Sequence, residues 1–435
     1  MYKKLRALKR GTSESFAQFL RCELGEQPGI SASDLLALTN QPGGLKKIGD
    51  EKRAAIEEVH DWGRQWPVKW KPRSASSGEP SPTPRLDVRT PTAATHFSTQ
   101  PTNGLRTNRR SSTLSTTLYS ELWNRFSSDY PSNCLAWRHR EQPILPPSGD
   151  TWQAVWTANP DFLALEDRIL LYYRGNGALS GREADHDRIG VSEVLSIGKD
   201  RLELLPLNGG EPIIDVGAAE EFDGTDVLDP ATVAFCGKVF LYYSAIGPGE
   251  DSIGLAVSDD GLSFEKVGKI MTGRAPDVIE FNGKLRMIYQ RADASGNYQV
   301  YLAESEDGYE FHELTPAPVL TPLPSSWDSL SIATVRLGVE HGWVYALYAG
   351  SSYLADEPDF FGLARSQDMF NWEFHPGNPI FGCGPKGAPD GGAIWFPALH
   401  QTVNEFVLLY EGSRGKYAWD VSSTICMATL SQFSP

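Results

Sequence analysis

From about residue 119 onward, apolar and polar positions alternate over short runs that are broken by Gly, Asn-Gly and Asp-Gly turns. Period-two alternation in runs of this length predicts strands. The stretch "LDPATVAFCGKVFLYYSA" (228–245) sets the pattern: an acidic residue at a strand head, an apolar run, a Gly turn, then a second run ending in paired tyrosines. Related stretches are "NPDFLALEDRILLYYRG", "APDVIEFNGKLRMIYQR" and "APDGGAIWFPALHQTVNEFVLLYEG". Third runs such as "SIGLAVSDDG", "QVYLAESEDG" and "FFGLARSQDM" follow, and in one copy "LSFEKVGKI" supplies a fourth. Five copies fit, starting near Ala158, Leu228, Ala275, Trp327 and Ala388. Their spacing of roughly 45–70 residues marks a repeat architecture. Four-stranded units repeated radially predict a five-bladed β-propeller over 119–435 in a mainly β chain. The first strand of each blade then lines a central channel. Asp161, Asp229, Asp277, Asp328 and Asp390 are expected to meet in one funnel.

The N-terminal quarter follows another rule. Residues 13–66 show helical spacing in three runs, with Ser starts and a Gly opening the third. A small all-α domain is predicted over 1–70. Residues 71–118 are rich in Ser, Thr, Pro, Asn and Arg with hardly any apolar pattern, which predicts a disordered linker. "LLALTNQPGGLKKIGDEKRAAIEEV" resembles a helix-hairpin-helix, carried by Leu45, Ile48, Gly49, Ala55 and Ile56. Backbone N–H groups near Gly49 would approach a phosphate, and Lys46, Lys47, Lys52 and Arg53 would add non-specific attraction to DNA. A helical protein-interaction domain explains the same pattern.

Charge sharpens this division. The net charge is −15, yet residues 1–118 hold 19 Lys+Arg against 11 Asp+Glu, and the remainder 21 against 44. A basic arm is joined to an acidic body, and the body's general surface is a poor match for nucleic acid. The five cysteines are scattered without C-x-x-C spacing. They read as reduced thiols of a cytoplasmic protein, and no metal or other cofactor is expected. No apolar run is long enough for a membrane span, and "MYKKLRALKR" does not read as a signal peptide.

Carboxylates converging in an aromatic-lined funnel suit glycoside cleavage. One group protonates the leaving oxygen, and another activates water or attacks carbon. Mutual repulsion and burial would raise one pKa and leave the other group ionised. Trp152, Trp156, Trp327, Trp395, Trp419, Tyr172 and Tyr173 are candidates for stacking on sugar rings, with blade packing as the alternative. For the acidic positions, a strand-head turn is the alternative.

The propeller motifs resemble the five-bladed glycosidase superfamily, most of all glycoside hydrolase family 130, the β-mannoside phosphorylases and β-mannosidases. The resemblance runs from Asn159 onward and is most specific at "WDSLSIATVRLGVEHGWVYALYAG". It implies that Asp229 is the proton donor and that Arg174, Asp277 and Asp390 belong to a sugar or phosphate site. Asp161 or Asp277 is a candidate base, with Glu220, Glu221 and Glu411 as alternatives. Asp328, Trp156, Arg274, Arg291 and Glu411 complete the expected substrate-binding set. Three departures stand out: Leu228 replaces a Glu, Ala231 an Arg and Ala349 a His of the family pattern. Phosphorolysis needs a cationic pocket, so these losses favour water as the nucleophile. The expected function is glycoside hydrolysis of an oligosaccharide or glycoconjugate. A phosphorylase and a non-catalytic sugar-binding propeller, either one directed to glycosylated DNA by the N-terminal module, are the alternatives.

Overall fold

The computed structural model describes residues 118–431 except 150, 180–184, 199–200, 294–296, 353–355, 403 and 416–421. The helix-hairpin-helix and its DNA-contacting residues Lys46, Lys47, Gly49, Lys52 and Arg53 lie outside the described residues. So does nearly all of the expected linker.

Two short helices, α1 (Leu118–Arg125) and α2 (Tyr130–Leu135), and strand β1 (Arg138–His139) precede the repeats. Blade 1 comprises β2 (Trp156–Ala164), β3 (Ile169–Gly177), β4 (His186–Gly198) and β5 (Arg201–Pro206). Blade 2 comprises β6 (Asp226–Phe235), β7 (Lys238–Ile246), β8 (Ser252–Ser258) and β9 (Glu265–Thr272). Blade 3 comprises β10 (Arg274–Phe281), β11 (Lys284–Ala292), β12 (Tyr298–Ser305) and β13 (His312–Glu313). Blade 4 comprises β14 (Ser331–Glu340), β15 (Trp343–Ser351), β16 (Phe360–Ser366) and β17 (Glu373–Phe374), with β18 (Phe381–Gly382) also on β16. Blade 5 comprises β19 (Ala393–Gln401), β20 (Glu405–Ser413) and β21 (Ser423–Ser431). Its outermost strand is β1, taken from ahead of blade 1 and paired with β21, which closes the ring.

The five inner strands β2, β6, β10, β14 and β19 contact one another in cyclic order, so the propeller expectation holds. The last two blades begin later than the sequence suggests. Trp327 and Asp328, and Ala388 to Asp390, lie in loops ahead of β14 and β19.

These loops explain the tyrosines. Tyr243, Tyr348 and Tyr410 each donate to an aspartate twenty positions earlier: Asp223 (3.1 Å), Asp328 (3.2 Å) and Asp390 (2.6 Å). Asp390 also meets His139 of β1 at 2.6 Å, so it pins the closing strand. Blade 1 replaces the pair by Trp152 stacked on Tyr173, packed where Gly175 and Gly190 leave no room for a Cβ. Trp327 similarly stacks on Tyr348 over Gly350 and Gly362. The partner tyrosines reach the next blade: Tyr172 and Tyr242 donate to the Gly261 and Gly308 carbonyls, both at 2.8 Å. Those glycines close Ser-x-Asp-Gly turns in which the aspartate accepts following N–H groups. The expectation that Asp328 and Asp390 enter the funnel is therefore corrected. They are blade-internal pins, and Trp152, Trp327, Tyr172 and Tyr173 pack blades rather than line a sugar site.

A guanidinium holds the axis together. Arg336 of β14, 4% exposed, donates to Asp277 Oδ1 (3.0 Å), to the Pro160 carbonyl (3.2 Å) and to the Pro230 carbonyl (2.9 Å). Its Nε lies 3.9 Å from Asp161, and its face lies over Phe396 of β19. One side chain thus touches the inner strands of all five blades. Asp161 also accepts the Thr232 N–H (2.8 Å) and hydroxyl (2.6 Å), and Asp277 accepts the Leu337 N–H (2.6 Å). Burial pushes the Asp277 carboxyl up to about 7; Arg336 opposes this and Asp161 adds to it. Two carboxylates sharing one cation retain a proton more readily than either would alone.

At the other end of β14, Glu340 accepts the Tyr119 and Ser120 N–H groups (2.5 and 2.8 Å), satisfying the free donors that open α1. The Tyr119 ring stacks on Tyr345 and lies on Gly338, where a Cβ would come within 2.0 Å of it.

Two outcomes follow. Gly338→Ala should cost about 1–3 kcal/mol by overpacking, and adding Tyr119→Ala should recover much of it; additive losses in denaturant unfolding would contradict the contact. Because the Asp277 pKa is raised on folding, its stabilising contribution is complete below the unfolded value near 3.8 and lost as pH rises through about 7. Asp277→Asn, fixed neutral, should flatten the dependence of Tm on pH across that window. Identical slopes in variant and wild type would refute the shift.

Candidate functional site

Four inner strands break their ladders at an X-Pro pair. Register slips between Ala158 and Asp161, Leu228 and Ala231, Arg274 and Asp277, and Trp395 and Ala398. The bulged residues Asn159, Asp229, Ala275 and Phe396 have φ of 51, 55, 46 and 48°. Non-glycine residues seldom adopt this left-handed region, and bulges that hold it aim side chains off the pleat. β14 slips in the same place, between Ile332 and Thr334. Asp161 and Asp277 therefore share one level below the bulge, whereas Asp229 is itself a bulge residue. The five acidic heads of the sequence occupy different levels, not one ring.

Second-strand residues facing the bulges form a ring of their own. Pairing with the third strands puts Arg174, Ser244, Gln290, Ala349 and Glu411 at equivalent positions. Three of them stitch a blade to its neighbour. Ser244 Oγ accepts the Ala275 N–H at 2.7 Å, Gln290 donates to the Ile332 carbonyl at 2.9 Å, and Glu411 accepts from Asn159 Nδ2 at 2.8 Å. Arg174 donates to Asn159 Oδ1 (3.1 Å), lies 3.4 Å from Asp187 and covers the Trp156 face. Trp156 donates to Asp187 at 3.0 Å.

Asp229 is fully buried at the centre of this ring, and neither of its oxygens makes a well-formed hydrogen bond. Burial raises its pKa; the guanidiniums of Arg274 and Arg174, the Ser244 hydroxyl and Arg336 pull the other way and do not cancel it. Glu411 is also raised, by burial first, then by Asp229 and Asp187, against the lowering effect of Arg174 and Ser423. Unlike Asp229, Glu411 accepts two hydrogen bonds, from Asn159 and from Ser423. On the far side, Arg274 donates to Tyr298 (2.5 Å), covers its ring and lies 3.6 Å from Asp356. The Trp395 indole donates to the Asp356 carbonyl at 2.7 Å.

The sequence-predicted Asp229, Arg174, Arg274, Trp156 and Glu411 are thus brought together. Asp161 and Asp277 lie just below and are committed to Arg336, Thr232 and Leu337. Arg291 is not part of the group: it pairs with Glu313 on β13 and lies over Tyr301, at the outer part of blade 3. Glu220 and Glu221 are exposed in the loop before β6, where Glu221 accepts the Ala218 N–H. Trp419 lies outside the described residues. Sequence reasoning missed Arg336, Asn159, Asp187, Tyr298 and Asp356. The legible signal for Arg336 was a lone charge within the apolar run "SIATVRLGV".

No protein-family model matches the chain, and no curated protein matches it by sequence. Solved structures do match in shape. A glycosyl hydrolase from Bacteroides ovatus aligns over 66% of this chain and 91% of its own, with 16% identity and a TM-score of 0.51. A structure reported with glycoside hydrolases of the GH130 family of mannoside phosphorylases, which target β-1,2-mannosidic linkages in Candida mannan, aligns over 67% and 93%, with 15% identity and a TM-score of 0.50. A β-1,2-mannobiose phosphorylase from Listeria innocua, in complex with β-1,2-mannobiose, aligns over 68% and 97%, with 12% identity and a TM-score of 0.50. At such identities the likeness is one of fold. The described part of this chain has the five-bladed propeller architecture of these glycosidases and phosphorylases.

Proposed function

We propose that the protein is a glycoside hydrolase in which Asp229 protonates the leaving oxygen and Glu411 takes the proton of the attacking water. The observation that carries this reading is the contrast between two buried carboxyls at one end of the channel. Asp229 has no well-formed hydrogen bond and only the Ser244 hydroxyl nearby to favour its charged form, whereas Glu411 accepts two. Their mutual repulsion favours one proton on the pair. We assign that proton to Asp229, as an acid needs, and the charge to Glu411, as a base needs, because Glu411 has the better supply of donors. Asp161 and Asp277, the bases first expected, are less suited because their oxygens already hold Arg336 and neighbouring strands.

Hydrolysis is favoured over phosphorolysis by charge. Carboxylates at or just below the ring (Asp229, Glu411, Asp187, Asp226, Asp356, Asp161 and Asp277) outnumber the guanidiniums of Arg174, Arg274 and Arg336. Each of these arginines already lies within 4 Å of a carboxylate. A phosphate dianion would enter an excess of negative charge, whereas a neutral sugar and water would not. Half-buried Trp156 offers an apolar surface beside the ring for a pyranose, with the buried Tyr298 and Trp395 packed behind Arg274 and Asp356.

On a panel of aryl glycosides and manno-oligosaccharides, Asp229→Asn should lower kcat by at least about a hundredfold with an unchanged Tm. Wild-type activity should decline on the alkaline side as the raised Asp229 pKa is passed, because the acid must carry its proton. Added inorganic phosphate should leave the rate unchanged and yield only free sugar. Phosphate-stimulated cleavage with release of a sugar 1-phosphate would overturn hydrolysis. Saturable sugar binding with no turnover on any substrate would overturn catalysis.

A further inference from the structure

We infer that Arg336 is a positioning residue for the proton donor: its guanidinium fixes the bulge backbone that directs the Asp229 carboxyl. The inference rests on the assignment of Asp229 as the acid.

The geometry starts from what Asp229 lacks. A buried carboxyl is normally fixed by the donors around it, but no well-formed hydrogen bond holds this one, and the Ser244 hydroxyl is its only neutral side-chain donor nearby. Its direction is set by its backbone, which sits at φ 55° and is followed by Pro230. A left-handed aspartate ahead of a proline persists only where its surroundings impose it. The ladder does not impose it, because β6 pairs with β7 at Leu228 and resumes only at Ala231. Residues 229 and 230 are the two skipped positions. In blades 3 and 5 the matching bulge N–H groups are held by hydroxyls, Ala275 by Ser244 and Phe396 by Thr334. In blades 1 and 2 the matching hold is on the carbonyls of Pro160 and Pro230, and one Arg336 nitrogen takes both. The other terminal nitrogen is anchored on Asp277.

A planar fork is needed for this task. Lysine supplies the same charge from a single atom and cannot span Asp277 and two carbonyls at once. Asn159, the blade 1 bulge residue, is held through Pro160 by the same nitrogen, and it carries the hydrogen bonds to Glu411 and Arg174. Arg336 therefore sets the spacing of the acid from the second carboxylate as well as the acid's own direction. A misplacement of about an ångström in such a pair costs on the order of a hundredfold in rate.

The test uses the full chain and a glycoside that the wild type turns over. Arg336→Lys keeps the charge and loses the fork; kcat should fall about a hundredfold with KM within about threefold, and the alkaline limb should stay in place. Arg336→Gln removes the charge as well, so the alkaline limb should also move to higher pH. A purely structural role would lower the amount of folded enzyme without moving the limb or separating kcat from KM. If the lysine variant does not fold, Arg336→Met combined with Asp277→Asn removes the closest buried pair together and leaves Asp161 on its Thr232 donors, which cores tolerate better than an orphaned Asp277 charge. Its folded fraction should show the same loss of kcat. A folded Arg336→Lys, or folded double variant, with kcat within about threefold of wild type overturns the inference. Asp229→Asn is measured alongside. If it is fully active, the acid assignment fails and the premise goes with it; if it is inactive while Arg336→Lys is active, the positioning role alone fails.

Discussion

The propeller depends on a buried charge at its axis. Five sheets that meet edge to edge leave inner-strand carbonyls and side chains facing one another with no ladder between them. Arg336 fills that space with a cation that reaches every blade, two proline carbonyls and an aspartate among its partners. A buried guanidinium is costly to desolvate and stays only where its donors are matched. Here the matching groups lie 59, 106 and 176 residues from Arg336 in the chain, so the axis forms only when the blades have come together. The closure by β1 on β21, pinned through His139 and Asp390, is the covalently distant counterpart of the same requirement.

Much of this was legible in the sequence. The alternating runs, the Gly turns and the recurrence of four strands gave five blades, because a packed sheet imposes its period on the residues themselves. The paired tyrosines were visible too, but their purpose was not. One reaches the next blade's turn and the other its own loop aspartate, and a spacing of twenty residues carries no hint of which is which. Asp328 and Asp390 looked equivalent to Asp229 for that reason. The bulges resolve it: a slip of the ladder cannot be read from composition, and it moves Asp229 away from the level of Asp161 and Asp277. Arg336 showed only as a lone charge in an apolar run; the two proline carbonyls it holds leave no trace in sequence.

The site inherits its properties from this construction. Left-handed residues at the bulges turn Asn159 and Asp229 off the pleat. The second strands answer with Arg174, Ser244, Gln290 and Glu411 at one level. Burial raises the pKa of both Asp229 and Glu411, and the two differ in their supply of hydrogen bonds. Trp156 and Arg174 on one side, with Arg274, Tyr298 and Trp395 on the other, frame Asp229.

The central claim is that the axis presents Asp229 to a glycosidic bond. A crystal structure of the Asp229→Asn variant soaked with an uncleaved oligosaccharide tests it most directly. The account predicts the glycosidic oxygen within hydrogen-bonding distance of the side chain at position 229, and Glu411 on the opposite side of the anomeric carbon with room for a water between them. A sugar bound elsewhere, or one whose glycosidic oxygen faces Asp161 or Asp277 instead, would contradict it.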